Sequence, residues 1–338
     1  MSSFLIVRLG SLGDVIHAIP AAAALRARFP DARIDWMVDP RYVDVLNLVA
    51  GVDQAIPINP RMFTGDGERS GLLRSLVGLR RSRYDAAIDL QGLLKSAVLA
   101  RAVGARQTIG FPRAHLREPF ARLFYTATPD PGAAVHVIFK NLALLAPVGV
   151  DDRQPRFPLV IPATPNTEFV IGYFGADHYV LVNPCAAWPN KRWPPERYGE
   201  VAFAIQRRFG LRSFVLWGPG EGSVAQAVVA SSSGAAEMSP ATTIPDLFGI
   251  ARGAHLMISG DTGPLHIAAA VGTPIVALFG PTWPERNGPW DPDDITLSRA
   301  SQCSCLYERR CRRSDPCIKD IAVADVMAAV ERRLASRG

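Results

Sequence analysis

The chain alternates short apolar runs with helix-patterned stretches, and it does so twice, on either side of a proline-rich segment. Such a rhythm points to parallel sheets, because a parallel strand can be followed only by a crossover, usually a helix. In the first half FLIVRL (4–9), RIDWMV (33–38), QAIPI (54–58), DAAIDL (85–90) and RQTIGF (106–111) read as strands. Helices are expected over 15–29, 72–81 and 93–103, the first stopped by Pro30-Asp31. Residues 59–70 read as a loop that orders when an acceptor binds. VDDRQPRFPLVIPATPNT (150–167) has four prolines and no helical period, which marks a linker. The pattern then restarts with YVLVNP (179–184), SFVLWG (213–218), HLMIS (255–259) and PIVALFG (274–280), separated by helices over 195–209, from Glu221 and from Gly263. Val323, Val326, Met327, Val330 and Leu334 recur at helical spacing and predict a closing helix that packs. The expected organisation is α/β: a first domain over 1–155, a linker over 156–170, a second domain over 171–320 and a terminal helix over 321–338. Two such domains are expected to face each other across a cleft at the carboxyl ends of their strands, where open α/β sheets bind ligands.

A length of 338 residues suffices for two domains with separate cores. No apolar run approaches the ~20 residues of a membrane span, and the start, MSSFLIVRLGSLGD, lacks a basic n-region and a small-residue cleavage site. These features predict a cytoplasmic protein. The balance of 37 basic to 31 acidic residues, +6 overall, suits an anionic substrate or an anionic membrane surface. Nucleic acid is not expected as a partner, since no RNA- or DNA-binding motif is present. Of five cysteines, Cys185 stands alone while Cys303, Cys305, Cys311 and Cys317 crowd together. In a reducing compartment that crowding leaves free thiols or a metal site.

Several strand-end turns carry candidate chemistry. Arg8-Leu9-Gly10-Ser11-Leu12-Gly13-Asp14 joins a strand to a helix but is not G-x-G-x-x-G, so it does not signal a dinucleotide. Asp14 reads either as an N-cap or as a general base for an acceptor hydroxyl. Ser259-Gly260-Asp261-Thr262-Gly263-Pro264-Leu265-His266 ends a strand and opens a helix, with Thr262 as cap and Pro264 in the first turn. Its backbone N–H groups and helix dipole suit a diphosphate; Asp261 could accept a sugar hydroxyl, and His266 reads as a residue packing behind the site. Lys191 and Arg192 lie on a Trp- and Pro-bounded loop, either as a basic surface or as cations for a leaving diphosphate. Glu221 could hold ribose hydroxyls or stabilise the start of its helix. Lys95, Arg113, His115 and Arg117, with Arg61, form a candidate basic pocket for an acidic acceptor, or an ordinary solvated surface.

Taken together, RLGSLGDVIHAIP (8–20), DLQGLLKSA (89–97), REPFARLFY (117–125), NKRWP (190–194) and SGDTGPLHIAAAVGTPIVALFGPTWP (259–284) resemble the lipopolysaccharide heptosyltransferases of glycosyltransferase family 9. QGLLKSA with REPFARLFY is most similar to the family's first heptosyltransferases. The resemblance implies a GT-B fold of two Rossmann-like domains. It implies inverting, metal-independent transfer of L-glycero-D-manno-heptose from ADP-heptose to a Kdo residue of the lipopolysaccharide inner core, with no cofactor required. The partners would be ADP-heptose, an anionic Kdo–lipid A acceptor and the cytoplasmic face of the inner membrane, in peripheral contact. By the same resemblance Asp14 is the base, Lys191 meets the donor phosphates, Glu221 the ribose, and Asp261, Thr262 and Gly263 the diphosphate and sugar. Lys95, Arg117 and Arg61 match residues associated with the acceptor. C-S-C-x5-C-x5-C (303–317) departs from the first heptosyltransferases and resembles a cysteine-rich stretch of second heptosyltransferases and protein-modifying relatives. It carries the expectation of a structural zinc or iron, against reduced thiols or a disulfide. The competing functions are another family 9 transfer, second-heptosyltransferase-like or protein-modifying, and a GT-B sugar-nucleotide epimerase.

Overall fold

A computed structural model describes residues 2–59, 79–175 and 178–336. The expected acceptor loop over 59–70 with Arg61, and most of the helix expected over 72–81, lie outside the described residues. The chain divides into two compact units, Met1–Val160 and Ile161–Gly338.

In the first unit β1 (Ser3–Val7), β2 (Arg33–Val38), β3 (Gln54–Pro57), β4 (Ala86–Asp89) and β5 (Gln107–Ile109) form a parallel sheet in the order β3-β2-β1-β4-β5. The central strand β1 is covered on both faces: Leu5, Ile6 and Val7 are fully buried, so it reads as a continuous apolar run rather than an alternating one. The helices are α1 (Leu12–Ile16), α2 (Ile19–Arg28), α3 (Val43–Leu46), α4 (Leu94–Ala102) and α5 (Val137–Ala143). The single helix expected over 15–29 is thus two. Pro20 falls in the first turn of α2; a proline there has no N–H to give, and its ring would collide with the carbonyl of Ile16 in a continuous helix. Leu99, Ala100 and Val103 pack onto Leu5, Val7 and Ala87 of the sheet.

The second unit carries β6 (Tyr179–Asn183), β7 (Arg212–Val215), β8 (Ala236–Met238), β9 (Leu256–Gly260), β10 (Ile275–Phe279) and β11 (Ile295–Ser298), all parallel, in the order β11-β10-β9-β6-β7-β8. Its helices are α6 (Pro165–Phe174), α7 (Pro195–Phe209), α8 (Gly222–Ala230), α9 (Ile244–Arg252), α10 (Gly263–Ala270), α11 (Pro284–Asn287) and α12 (Val323–Ala335). Helix α6 begins inside the stretch expected to be linker, because Thr164 accepts the Thr167 N–H and Pro165 occupies a first-turn position that needs no donor. The closing helix packs as its spacing predicts: Val326, Ala329 and Val330 join the core formed by Trp193, Tyr198, Val276 and Leu278. Among the described residues, no helix is long and apolar enough to cross a membrane.

Both sheets reverse direction of strand order once. The reversal lies between β1 and β4 in the first unit and between β6 and β9 in the second. Just beyond the carboxyl ends of strands at such a switch point the crossovers diverge to opposite faces and leave a crevice.

Candidate active site

At the first switch point the 8–14 and 89–97 segments lie side by side, since Val7 of β1 is in register with Asp89 of β4. The Leu9 N–H donates to Gln91 Oε1 at 2.8 Å. Gly10 is required by close approach: a Cβ there would stand 2.7 Å from Tyr42 Cε2. Ser11, not Asp14, is the N-cap of α1. Asp14 sits one turn in, where its Oδ2 accepts the Ser11 N–H at 2.9 Å and the Ser11 hydroxyl at 3.0 Å. Its other oxygen meets the Arg8 guanidinium, which also donates to the Leu90 carbonyl. Arg8 is buried while the Asp14 side chain remains 29% exposed, so the carboxylate is fixed by a buried cation and still reached by solvent. A carboxylate so fixed can receive a proton from a bound hydroxyl without searching for its geometry.

Asp89 organises the neighbouring turn. It is fully buried and accepts from the Gln91 and Gly92 N–H groups, from Ser96 Oγ at 2.8 Å and from Tyr125 Oη at 2.7 Å. Burial raises its pKa, and these four donors offset only part of that cost. The Tyr125 ring reaches Asp89 across Gly110, where any Cβ would come within 2.4 Å of it. Lys95 stands on α4, Arg113 in the 3-10 turn Arg113–His115, and Arg117 between that turn and the next, Pro119–Phe124. None of the three has an ion-pair partner among the described residues. His115 instead lies 4.0 Å from Asp130.

The second switch point gathers residues that are far apart in sequence. Asn183, closing β6, donates to Thr262 Oγ1 at 2.8 Å and to Ser259 Oγ at 3.1 Å at the end of β9. Thr262 is the N-cap of α10 by position, yet its hydroxyl is engaged by Asn183 and makes no capping bond. The start of α10 therefore keeps its backbone donors and its dipole for a ligand. It forms one wall of a pocket of about 440 Å³, whose other walls include Cys185, Trp217, Glu221, Thr242 and Leu247. Trp217 is fixed by its Nε1–H donating to the Ser239 carbonyl at 2.7 Å. Glu221 Oε2 accepts the Gly218 N–H at 3.0 Å, which tightens the turn after β7, and Glu221 lines the pocket. Cys185 stands beside it; burial first, then the Glu221 charge, pushes its thiol up to about 12.

Lys191 ends the 3-10 turn Pro189–Lys191 and forms a buried ion pair with Asp261. Its Nζ lies 4.6 Å from the centre of the Trp188 ring. Asp261 also accepts from Thr282 Oγ1 and Asn287 Nδ2, each at 2.8 Å, and lies 3.5 Å from His266 Nε2. Burial by itself would raise the Asp261 pKa; His266 and Lys191 outweigh it and hold the carboxyl below the usual carboxylate range. Lys191 is thus a fixed cation next to the open helix start, and Asp261 is its anchor. The 8–14 turn, Lys191, Glu221 and the 261–263 turn were visible in the sequence as strand-end turns. Arg8, Asn183, Thr282 and Asn287 were not singled out; Arg8 alone had a local signal, standing in the same turn as Asp14.

The four cysteines do converge. Cys303 Sγ is 3.6 Å from Cys305 Sγ, which is 3.0 Å from Cys311 Sγ, and all are free thiols. Burial and the neighbouring sulfurs push the Cys317 thiol up to about 12. The zinc or iron site expected at Cys303, Cys305, Cys311 and Cys317 is not borne out: among the described residues, no group of three or more His, Cys, Asp or Glu side chains is placed to hold a metal ion. The segment instead braces the Lys191 loop. Asn190 Nδ2 donates to the Glu308 carbonyl at 2.8 Å, and Arg309 lies over Trp188.

Two parallel α/β units, each with a switch point at its strand ends, give the fold of the GT-B class. The chain belongs to glycosyltransferase family 9 (heptosyltransferase), whose sequence profile matches residues 73–315. It is 28% identical to lipopolysaccharide heptosyltransferase 1 of Pseudomonas aeruginosa, over 91% of this chain and 86% of that one. It is 26% identical to lipopolysaccharide heptosyltransferase 3 of Escherichia coli, over 96% and 97% of the two chains. Among solved structures, E. coli heptosyltransferase WaaC with ADP superposes with a TM-score of 0.77 at 23% identity, covering 98% of this chain and 99% of that one. The iron-containing dodecameric glycosyltransferase TibC of enterotoxigenic E. coli has a TM-score of 0.55 at 16% identity, over 100% and 77% of the two chains. At these identities the structural matches speak for the fold.

Proposed function

We propose that this enzyme transfers L-glycero-D-manno-heptose from ADP-heptose to a Kdo residue of the lipopolysaccharide inner core. The observation that carries the donor half is the second switch point: the start of α10, with no side-chain cap, and Glu221 line one pocket, and Lys191 is paired to Asp261, next in sequence to the pocket residue Thr262. ADP-heptose fits these features in order. Glu221 accepts the ribose hydroxyls, the Gly263 end of α10 and Lys191 receive the diphosphate, and Asp261 keeps Lys191 charged and aimed. On departure the ADP gains negative charge, and donors already oriented toward it lower the barrier without reorganising. Asp14 removes the proton from the acceptor hydroxyl as that oxygen attacks the anomeric carbon on the face opposite ADP, inverting it. Lys95, Arg113 and Arg117 supply positive charge for an acidic acceptor sugar, and the first unit is the acceptor-binding one. The donor reading draws support from the family, described as heptosyltransferase, and from the match to lipopolysaccharide heptosyltransferase 1 over 91% of the chain.

A heptose acceptor is the second reading, favoured by the match to a heptosyltransferase 3 over 96% of the chain. Incubation of ADP-heptose with Kdo–lipid A, followed by mass analysis, separates the two: one added heptose supports Kdo, and no addition sinks it. Asp14→Asn should lose transfer by about 10³-fold or more while ADP binding, read by thermal shift, stays within about twofold. Near-normal turnover of that variant would remove Asp14 as the base.

A further inference from the structure

Charge at the proposed diphosphate site falls short of what a diphosphate demands. Lys191 is tied to Asp261, so that pair is formally neutral, and Glu221, which lines the pocket, adds a negative charge. Arg192, the other cation of the 183–194 loop, donates its Nε–H to the Ala186 carbonyl at 2.7 Å. The dipole at the start of α10 is equivalent to only about half an elementary charge. Against these stands a terminal phosphate, which carries about −1.5 to −2 at neutral pH.

The cysteine-rich segment brings a further cation to this place. Arg309 Cζ lies 5.8 Å from the centre of the Trp188 ring, which also carries Lys191 Nζ at 4.6 Å. Trp188 follows Ala187, a pocket residue. Two contacts next to Arg309 hold the segment there. Asn190 Nδ2 donates to the Glu308 carbonyl, and the Tyr307 N–H donates to the Pro281 carbonyl, each at 2.8 Å. Pro281 precedes Thr282, whose hydroxyl donates to Asp261. The segment thus rests on both turns that hold the Lys191–Asp261 pair. Nearby arginines are already engaged: Arg312 pairs with Glu308 and Arg313 with Asp320. Arg309 is exposed and has no ion-pair partner among the described residues. A guanidinium stacked on an indole keeps its planar fork of N–H donors available, and that fork matches two oxygens of a phosphate.

We propose that Arg309 binds the second phosphate of the nucleoside diphosphate, the one bonded to the sugar in the donor and terminal in the product. When the bond from the anomeric carbon to the phosphate oxygen breaks, its electron pair stays on that oxygen, and Arg309 is placed to meet the added charge. Arg309 acts in this way only if the pocket holds a nucleoside diphosphate, as the donor reading requires. Titration calorimetry of the full-length protein with ADP and with AMP, which lacks the second phosphate, tests it. Arg309→Gln should weaken ADP binding at least about tenfold while AMP binding stays within about twofold. Arg310→Gln removes the same charge from the adjacent residue and should leave ADP binding within about twofold. Equal ADP binding by wild type and Arg309→Gln overturns the proposal. An equal loss for ADP and AMP also overturns it, since that is the mark of a brace for the Lys191 loop, and so does an equal loss in Arg310→Gln. If the wild type binds UDP or GDP in place of ADP, the ADP-heptose reading falls, and the same variants titrated with that nucleotide and its monophosphate decide the role of Arg309. Binding of none of the three diphosphates overturns both.

Discussion

At the residue scale the decisive feature is how few candidate side chains are left to themselves. Asp261 is next in sequence to the pocket residue Thr262, and its oxygens are taken by Lys191, Thr282 and Asn287. Its chemistry is to hold a cation in place, and the sequence offered no sign of this because its partners lie up to 70 residues away. Asp261→Asn should cost about 3–5 kcal/mol, since Lys191 keeps a buried charge without its counter-ion; urea denaturation at neutral pH measures it, and a loss under about 1 kcal/mol would count against a tight pair. The sign of the pH dependence follows. A carboxyl held below its unfolded pKa of about 3.9 stabilises fully above that value, and the benefit disappears as acid protonates it in the native state. The Asn variant should therefore lose less stability than the wild type between neutral pH and about pH 3. Asp14 differs in kind. It is held by Arg8 and Ser11 and keeps 29% of its side chain exposed, where Asp261 is buried.

Elements explain why particular short words recur in the chain. D-L-Q-G-L-L-K-S is a turn wrapped around a buried carboxylate, and the F-Y at the end of 117–125 delivers the tyrosine that completes it. Tyr125→Phe keeps the ring and removes one donor to fully buried Asp89. It should destabilise by about 1.5–3 kcal/mol, read as a lower urea midpoint with an unchanged slope; no shift in midpoint would mean that three donors suffice. The elements that sequence reading missed are short or fall in irregular stretches. β8 and β11 are edge strands of three and four residues with no alternation to detect. Prolines misled in two directions. Pro20 divides the single helix that the periodicity over 15–29 predicts, whereas Pro165, in a proline-rich stretch that predicts a linker, opens α6.

For the whole molecule, each unit has its own parallel sheet, its own core and its own switch point. If the second unit alone binds the nucleotide, ADP should stabilise it locally. At about a hundred times its Kd, ADP adds ~2.7 kcal/mol to whatever opening reaction it blocks. Hydrogen exchange with and without ADP should slow in 183–191, 216–221 and 260–265, and remain unchanged in 8–14 and 89–97. Equal slowing in those first-unit turns would contradict the assignment.

The alternation of apolar and amphipathic segments was enough to determine two parallel α/β units, because strand burial and helix periodicity are local properties that a single chain displays along its length. The same local logic located the turns at strand ends, and with them Asp14, Lys191, Glu221 and the Asp261–Gly263 turn. Tertiary structure alone decided what each of these residues does within its turn. The pairing of Lys191 with Asp261, the diversion of Thr262 from capping by Asn183, and the brace of Asn190 on the Glu308 carbonyl depend on groups brought together from distant parts of the chain. Contacts of that kind are set by the packing of distant segments, and no spacing within one segment encodes them.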